Sequence, residues 1–317
     1  MAPPVIVLGV GRSGTTLLRV MLDRSSQIAI PYESFFVTPL AHRHGSRPKL
    51  GHFVEDLGRF YQLYEWGIDP EDVRARLREG MATGEAIATV FEVYAEHEGK
   101  PRWGDKTPLY MQHLPLLERL FPDAVWVHLV RDGRDAALSF LELPEGFSGK
   151  TWAQPRTAAQ FAARWRTEIL AARRLGRHVG DRYLELRYED LVAEPERELR
   201  RVCEHASLTW EPGMLDHTGV SEVAKMPEHR NIAQPPTPGL RDWRSQMSRD
   251  EAVAFEDVAG DVLSSSGYEL LEPDARYPTA RGRLERARFA ALSRSWNATA
   301  AAYQRSPLWA RSHPTLG

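Results

Sequence analysis

Val5-Ile6-Val7-Leu8-Gly9-Val10-Gly11-Arg12-Ser13-Gly14-Thr15-Thr16-Leu17-Leu18-Arg19 decides how this chain is read. Val5 to Leu8 is an apolar, β-branched run, the pattern of a parallel strand buried on both faces. Gly9, Gly11 and Gly14 let the backbone turn tightly and come close to a ligand. Leu17, Leu18, Met21 and Leu22 then have the spacing of the apolar face of a helix. A strand, a glycine-rich loop and a helix N-terminus make an anion site, because unpaired helix N–H groups and the helix dipole point at the loop. The expected ligand is a phosphate or a group shaped like one.

The same loop departs from the one that holds ATP or GTP. That pattern is G-x-x-x-x-G-K-[ST]. Gly9 and Gly14 keep its spacing, but Thr15 stands where the Lys belongs. The cation is Arg12, whose planar guanidinium suits phosphate or sulfate oxygens, and Ser13, Thr15 and Thr16 add hydroxyls. The fold class expected is α/β, a P-loop-like parallel sheet flanked by helices.

Gly11-Arg12-Ser13-Gly14-Thr15-Thr16-Leu17 resembles the 5′-phosphosulfate loop of sulfotransferases that use 3′-phosphoadenosine 5′-phosphosulfate (PAPS). The R-S-G-T-T form, followed by Arg19 and Met21-Leu22-Asp23, is most similar to the tyrosylprotein sulfotransferase branch. The resemblance implies PAPS as co-substrate, held by Gly11, Arg12, Ser13, Gly14, Thr15 and Thr16, with release of 3′,5′-ADP. Three further blocks extend it. Glu33 stands 21 positions after Arg12, and a Glu at that spacing is the branch's catalytic base. Trp103-Gly104-Asp105-Lys106-Thr107-Pro108 resembles the block that carries the sulfate-binding Lys, which falls on Lys106. In the small-molecule branch a catalytic His stands two positions after that Lys; here Pro108 occupies the place and moves no proton, so the base must come from elsewhere, which strengthens the Glu33 that the resemblance implies. Arg131-Asp132-Gly133-Arg134 ends a strand and leads to Ser139, as at the family's 3′-phosphate site, which assigns Arg131 and Ser139 to that phosphate. A residue at the strand end and Ser139, just over two helical turns on, face one ligand only if the turn folds back. Tyr188-Glu189-Asp190-Leu191-Val192 resembles a block in which Tyr188 meets the adenosine. Asp132 and Arg134 are read as pairing or capping residues outside the site.

Composition limits the alternatives. At 317 residues with 42% hydrophobic residues and nine Trp, the chain is globular and able to bury a large core. A net charge of −2 is not that of a general nucleic-acid binder. The single cysteine, Cys203, permits no intrachain disulfide and reads as a packed thiol. No charged stretch followed by an apolar signal core opens the chain, and no run long enough to span a membrane occurs. The expectation is therefore a cytoplasmic protein, unlike the Golgi-anchored tyrosylprotein enzymes.

In chain order, Gln27 to Pro31 reads as a short second strand, with Glu33 at its end. Residues 34 to about 100 read as a helical insertion whose aromatic residues are mostly core, some of them facing an acceptor pocket. His42 and His44 lack companions for a metal site, and no metal is expected. Ala124 to Val130 and Arg182 to Arg187 read as strands, with His128 as a structural residue. Thr157 to His178 and Pro195 to Leu208 read as helices. Residues 213–247 are Pro-rich and polar and carry Lys225, His229, Arg230, Arg241, Trp243 and Arg244; in the family a late basic loop closes over the nucleotide, with Ser221 or Lys225 as candidates. The domain reading is 1–275 for one sulfotransferase domain, with the insertion at about 34–100, and 276–317 for a helical C-terminal extension. That Arg/Ala-rich extension is a solvated helix, a homodimer contact or a contact for an acidic surface.

The expected reaction moves a sulfuryl group to an acceptor hydroxyl, on a small molecule, sugar, lipid or peptide. Arg12 and Lys106 stabilise the growing charge and Glu33 takes the proton. The competing readings are a P-loop small-molecule kinase, disfavoured by Thr15, and a nucleotide-binding regulatory protein without turnover, disfavoured by the Arg12–Lys106 pair with a base beside it.

Overall fold

The structure, a computed structural model, describes residues 2–143, 154–216, 242–313 and 315. Its centre is a parallel sheet of four strands in the order β2-β1-β3-β4. The strands are β1 (Val5–Leu8), β2 (Gly104–Asp105), β3 (Val125–Val130) and β4 (Tyr183–Arg187). β1 lies between β2 and β3, with Val5 opposite both Gly104 and Val125. Alternate side chains of a strand point to opposite faces, and both faces are buried. Val5, Val7, Val127 and Leu129 face one core with α1 (Thr15–Asp23) and α11 (Pro195–Ala206). Ile6, Leu8, Trp126 and Val130 face the other with α9 (Ala158–Val179) and the helix Arg249–Ser265. The continuous apolar runs of β1 and β3 are thus what burial on two sides requires.

Strand order also places the site. From β1 the chain leaves to one side, for β2, then crosses back to β3 on the other. The loops after β1 and β3 therefore diverge and open a crevice at the strands' C-terminal ends, where open α/β sheets take ligands. The Gly9–Gly14 loop and Arg131 both lie there.

One strand was misplaced by the sequence pattern. Gln27–Pro31 makes only a single bridge, Ala29 to Trp103, and the ladder partner of β1 is Gly104–Asp105. Ile28 and Ile30 are fully buried all the same; they pack in the α1 core, and burial mimics the pattern of pairing.

Between β1 and β2 run α2 (Val37–His44), α3 (Leu50–Leu57), α4 (Tyr61–Glu65), α5 (Pro70–Arg74) and α6 (Thr83–His97). Their aromatic residues form a joined cluster. Phe91 stacks on Trp103 at 4.6 Å, and Phe36 meets Phe91 at 5.3 Å and Trp66 at 5.5 Å. Tyr61 and Tyr64 remain half exposed. After β2 come α7 (Leu114–Leu120), α8 (Gly133–Leu141) and, following β4, α10 (Tyr188–Ala193). Among the described residues no helix is long and apolar enough to cross a membrane.

The C-terminal helices Ala280–Arg305 and Pro307–Ser312 return to the insertion. Gly282 crosses the backbone of Asp257 so closely that a Cβ would lie 1.8 Å from its carbonyl oxygen. Trp309 is buried against Phe60 at 5.6 Å, under the Arg43 guanidinium at 4.6 Å. Arg43 and Arg59 both pair with the buried Asp56, at 2.7 and 3.1 Å, and donate to carbonyls of Gln304 and Ala310. Asp56 is the anion that holds this seam. Burial opposes its charge, but His44, Arg43 and Arg59 outweigh burial and lower its pKa to about 2.

Trp309→Ala should cost about 3 kcal/mol in urea unfolding, as for other buried Trp truncations, and a loss below about 1 kcal/mol would show that the seam bears no load. Asp56 has a folded pKa below its unfolded one, so its contribution, about 2 kcal/mol, is present above about pH 4 and lost as pH falls toward 2. The stability gap between the wild type and Asp56→Asn should shrink over that acid window; parallel curves would contradict the pairing.

Candidate active site

The loop after β1 is shaped by two residues with left-handed backbones, Arg12 at φ 75° and Gly14 at φ 83°. The amide of Ser13 bonds the Val10 carbonyl at 3.0 Å and closes the turn. Gly14 is the N-cap of α1 and offers no side chain to its free N–H groups, and no acidic residue lies in the first turn. The helix end is therefore open to an anion. A Cβ at Gly14 would lie 2.3 Å from the Tyr188 ring, so that ring rests directly on the loop. At Gly11 a Cβ would meet nothing within 4 Å, so no neighbouring atom demands glycine there. Thr15 and Thr16 are buried at the helix start. Ser13 is fully buried and its Oγ has no hydrogen-bond partner among the described residues. A buried orphan hydroxyl on an anion loop fits an oxyanion ligand.

Arg131 and Ser139 meet the same loop from β3 and α8. The reversal that their spacing demands is made by Asp132, which caps α8 by accepting from the Arg134 amide. Arg131 donates from Nη1 to the Arg12 carbonyl at 3.2 Å and lies 4.7 Å from the centre of the Tyr188 ring. Its Nε is buried without a hydrogen-bond partner among the described residues. Arg12 donates from Nε to Ser139 Oγ at 2.9 Å. Arg12, Arg131, Ser139 and Tyr188 thus converge, and the direct bond from Arg12 to Ser139 was not expected. Asp132 and Arg134 form an ion pair at 2.7 Å that continues to Glu256 at 2.7 Å, which suits residues that hold α8 in place.

Glu33 and Lys106 come together on the other side of the loop. Lys106 Nζ donates to Glu33 Oε1 at 2.7 Å and to Thr16 Oγ1 at 3.3 Å. Lys106 is fully buried, whereas the Glu33 side chain keeps 15% of its surface exposed. Burial lowers the Lys106 pKa, and Glu33 opposes that by favouring the ammonium. The Tyr32 ring centre lies 5.1 Å from Nζ. A cation and a partly exposed carboxylate therefore stand side by side next to the anion loop, an arrangement that can balance negative charge and accept a proton.

Other residues sort themselves by contact. His128 is buried in β3 and bonds Tyr183 at 2.6 Å and Glu185 at 3.2 Å, as a structural residue does. Cys203 is buried with Sγ against Met214 Sδ at 3.8 Å, and burial pushes its thiol up to about 11. Among the described residues no group of three or more His, Cys, Asp or Glu is arranged to hold a metal ion. Of the late loop, Ser221, Lys225, His229, Arg230 and Arg241 lie outside the described residues. Trp243 packs beneath Arg134 at 3.7 Å and so belongs to the core. The sequence pattern gave no role to Ser34, Asp105, Thr107 and Tyr110, which form a buried polar cluster behind Glu33 and Lys106. Burial pushes Asp105 up to about 7, against the pull of Ser34, Thr107 and Lys106. Its one visible signal is the Asp-Lys-Thr order, which puts Asp105 and Thr107 on the face opposite Lys106.

Comparison with known proteins places these features in a family. The sulfotransferase family profile matches residues 3–212, more than half of the chain. Protein-tyrosine sulfotransferase A of Caenorhabditis elegans is 26% identical over 290 residues, covering 87% of this chain and 69% of its own length. The protein-tyrosine sulfotransferase of Drosophila melanogaster is 26% identical over 284 residues, covering 84% of this chain and 52% of its own. Among solved structures, the sulfotransferase domain from the curacin biosynthetic pathway has a TM-score of 0.59 at 21% identity, over 84% of this chain and 99% of that domain, a likeness of fold. The chain belongs to the sulfotransferase family and is an enzyme that transfers a sulfuryl group to an acceptor hydroxyl.

Proposed function

We propose that the donor is PAPS and that Glu33 is the general base of the transfer. The observation that carries this reading is the 2.7 Å pair of Glu33 with the buried Lys106 beside the anion loop. The orphan atoms Ser13 Oγ and Arg131 Nε support a donor with anionic groups at both ends. Gly11, Ser13, Gly14, Thr15 and Thr16 hold the 5′-phosphosulfate with backbone and hydroxyl donors. Arg131 and Ser139 take the 3′-phosphate, and Tyr188 packs on the adenosine.

The acceptor oxygen bonds to sulfur as the bond from sulfur to the 5′-phosphate oxygen breaks, and 3′,5′-ADP leaves. Glu33 receives the acceptor's proton, while Lys106 and Arg12 balance charge on the sulfuryl and bridging oxygens. Positioning does much of the work, since both reactants are held before reaction. The names of the two relatives support a tyrosine phenol as the first acceptor to try.

Calorimetry tests the donor. PAPS and 3′,5′-ADP should bind and raise the Tm, whereas ATP with Mg²⁺ should do little; equal stabilisation by ATP would overturn the donor assignment. Arg131→Ala removes a charged hydrogen bond, worth about 1.5–3 kcal/mol, so its Kd for 3′,5′-ADP should rise about 10- to 100-fold. An unchanged Kd would remove Arg131 from the 3′-phosphate. A panel of a tyrosine peptide, a simple phenol, a sugar and an aliphatic alcohol, read by release of 3′,5′-ADP from PAPS, then ranks acceptors.

A further inference from the structure

Behind the Glu33–Lys106 pair lies a cluster of four buried polar side chains joined to one another by hydrogen bonds. Ser34, Thr107 and Tyr110 are each 3% exposed or less, and Asp105 is 2% exposed. Two backbone amides donate into the cluster. The Val37 amide donates to the Tyr110 hydroxyl at 3.1 Å, and the Ser34 amide donates to Thr107 Oγ1 at 3.0 Å. The Tyr110 hydroxyl and Ser34 Oγ share a hydrogen bond at 2.9 Å. Thr107 Oγ1 donates to Asp105 Oδ1 at 3.2 Å. Ser34 Oγ also lies 3.3 Å from Thr107 Oγ1, and Asp105, which accepts from Thr107, is the end of the chain.

The position of the cluster gives it a task. Ser34 is next to Glu33 in sequence, and Asp105 and Thr107 flank Lys106 on either side. The cluster therefore ties together the two segments that carry the pair. The segment after Glu33 needs such a tie, because Phe35 has φ 50°, a strained backbone for a bulky residue. Strain of this kind persists only where the surroundings fix it. On one side Phe36 is locked among Trp66 and Phe91; on the other side Ser34 is locked by the hydroxyls.

We propose that Ser34, Asp105, Thr107 and Tyr110 act as a buried clamp that holds Glu33 against Lys106, and are positioning residues for the transfer. The inference rests on the reading of Glu33 as the base. It adds that the aim of that base is set by residues that never meet a substrate. Asp105 accepts from the Thr107 hydroxyl, and Thr107 and Tyr110 together hold Ser34 and keep the turn at Phe35 closed.

Thr107→Val removes the hydroxyl at nearly constant volume, Thr107→Ser keeps it, and Tyr110→Phe breaks the chain at its other end. In a crystal structure of Thr107→Val, the Glu33–Lys106 contact should open from 2.7 Å to beyond about 3.5 Å. The kcat for 3′,5′-ADP release should fall about 10²-fold while affinity for 3′,5′-ADP stays within about twofold, as expected of a misplaced catalytic group. Thr107→Ser should restore both contact and rate, and Tyr110→Phe should behave like Thr107→Val. A contact kept at 2.7 Å in Thr107→Val overturns the clamp, as does a fall in nucleotide affinity that tracks the fall in kcat. An opened contact with unchanged turnover leaves the clamp standing and removes the base assignment beneath it. If Tyr110→Phe fails to fold, the two Thr107 variants decide alone.

Discussion

A lysine ammonium with none of its side chain in contact with water must have a counter-charge, and in this protein Lys106 has Glu33. Taking a charge out of water costs several kcal/mol unless geometry and hydrogen bonding compensate it. Lys106 satisfies that demand with one carboxylate at 2.7 Å and one hydroxyl, that of Thr16, at 3.3 Å. Each contact comes from a different part of the chain. Thr16 begins the helix of the anion loop, Glu33 precedes the insertion, and Lys106 leaves the edge strand β2. The pair can exist only when sheet, loop helix and insertion are all in place, and so it is a product of the whole fold. The Glu33 side chain keeps 15% of its surface exposed, which its proposed role as base requires.

A second constraint couples the anion loop to β3 and α8. Ser139 and Arg131, on α8 and at the end of β3, both bond Arg12, one at its guanidinium and one at its carbonyl. Arg12 itself has a left-handed backbone, which costs free energy for a residue with a Cβ. The contacts from α8 and β3 offset that cost. The residues proposed for the 3′-phosphate and the loop arginine are therefore mechanically linked, and a change at either end is felt at the other. The ion-pair chain Asp132–Arg134–Glu256 holds α8 to the helix Arg249–Ser265 and keeps that link in register.

Much of this was legible in the chain because it is written locally. β1, its loop and α1 are contiguous, and β3 with Arg131 and α8 repeats the arrangement. The fold class and the sulfotransferase assignment, read from those motifs, agree with the family match and the structural likeness. β2 was not legible, because its two paired residues are a glycine and a buried aspartate rather than an apolar run. Its bridge partner segment, with Ile28 and Ile30, looked more like a strand for the opposite reason. The clamp was not legible either. Ser34 and Thr107 are 73 positions apart, and Arg12 and Ser139 are 127 apart. Such contacts are set by tertiary packing, and a serine beside a glutamate carries no periodic signal. The role proposed for Glu33 has a direct measurement.

That measurement is made on Glu33→Gln, which keeps shape and a hydrogen-bond acceptor for Lys106 but loses the basic carboxylate. The variant should bind 3′,5′-ADP as the wild type does, which shows that the fold around Lys106 is intact. Its kcat for PAPS-dependent transfer should fall about 10²- to 10⁴-fold, the range for loss of a general base. Turnover within a few-fold of wild type, with nucleotide binding intact, would contradict the account.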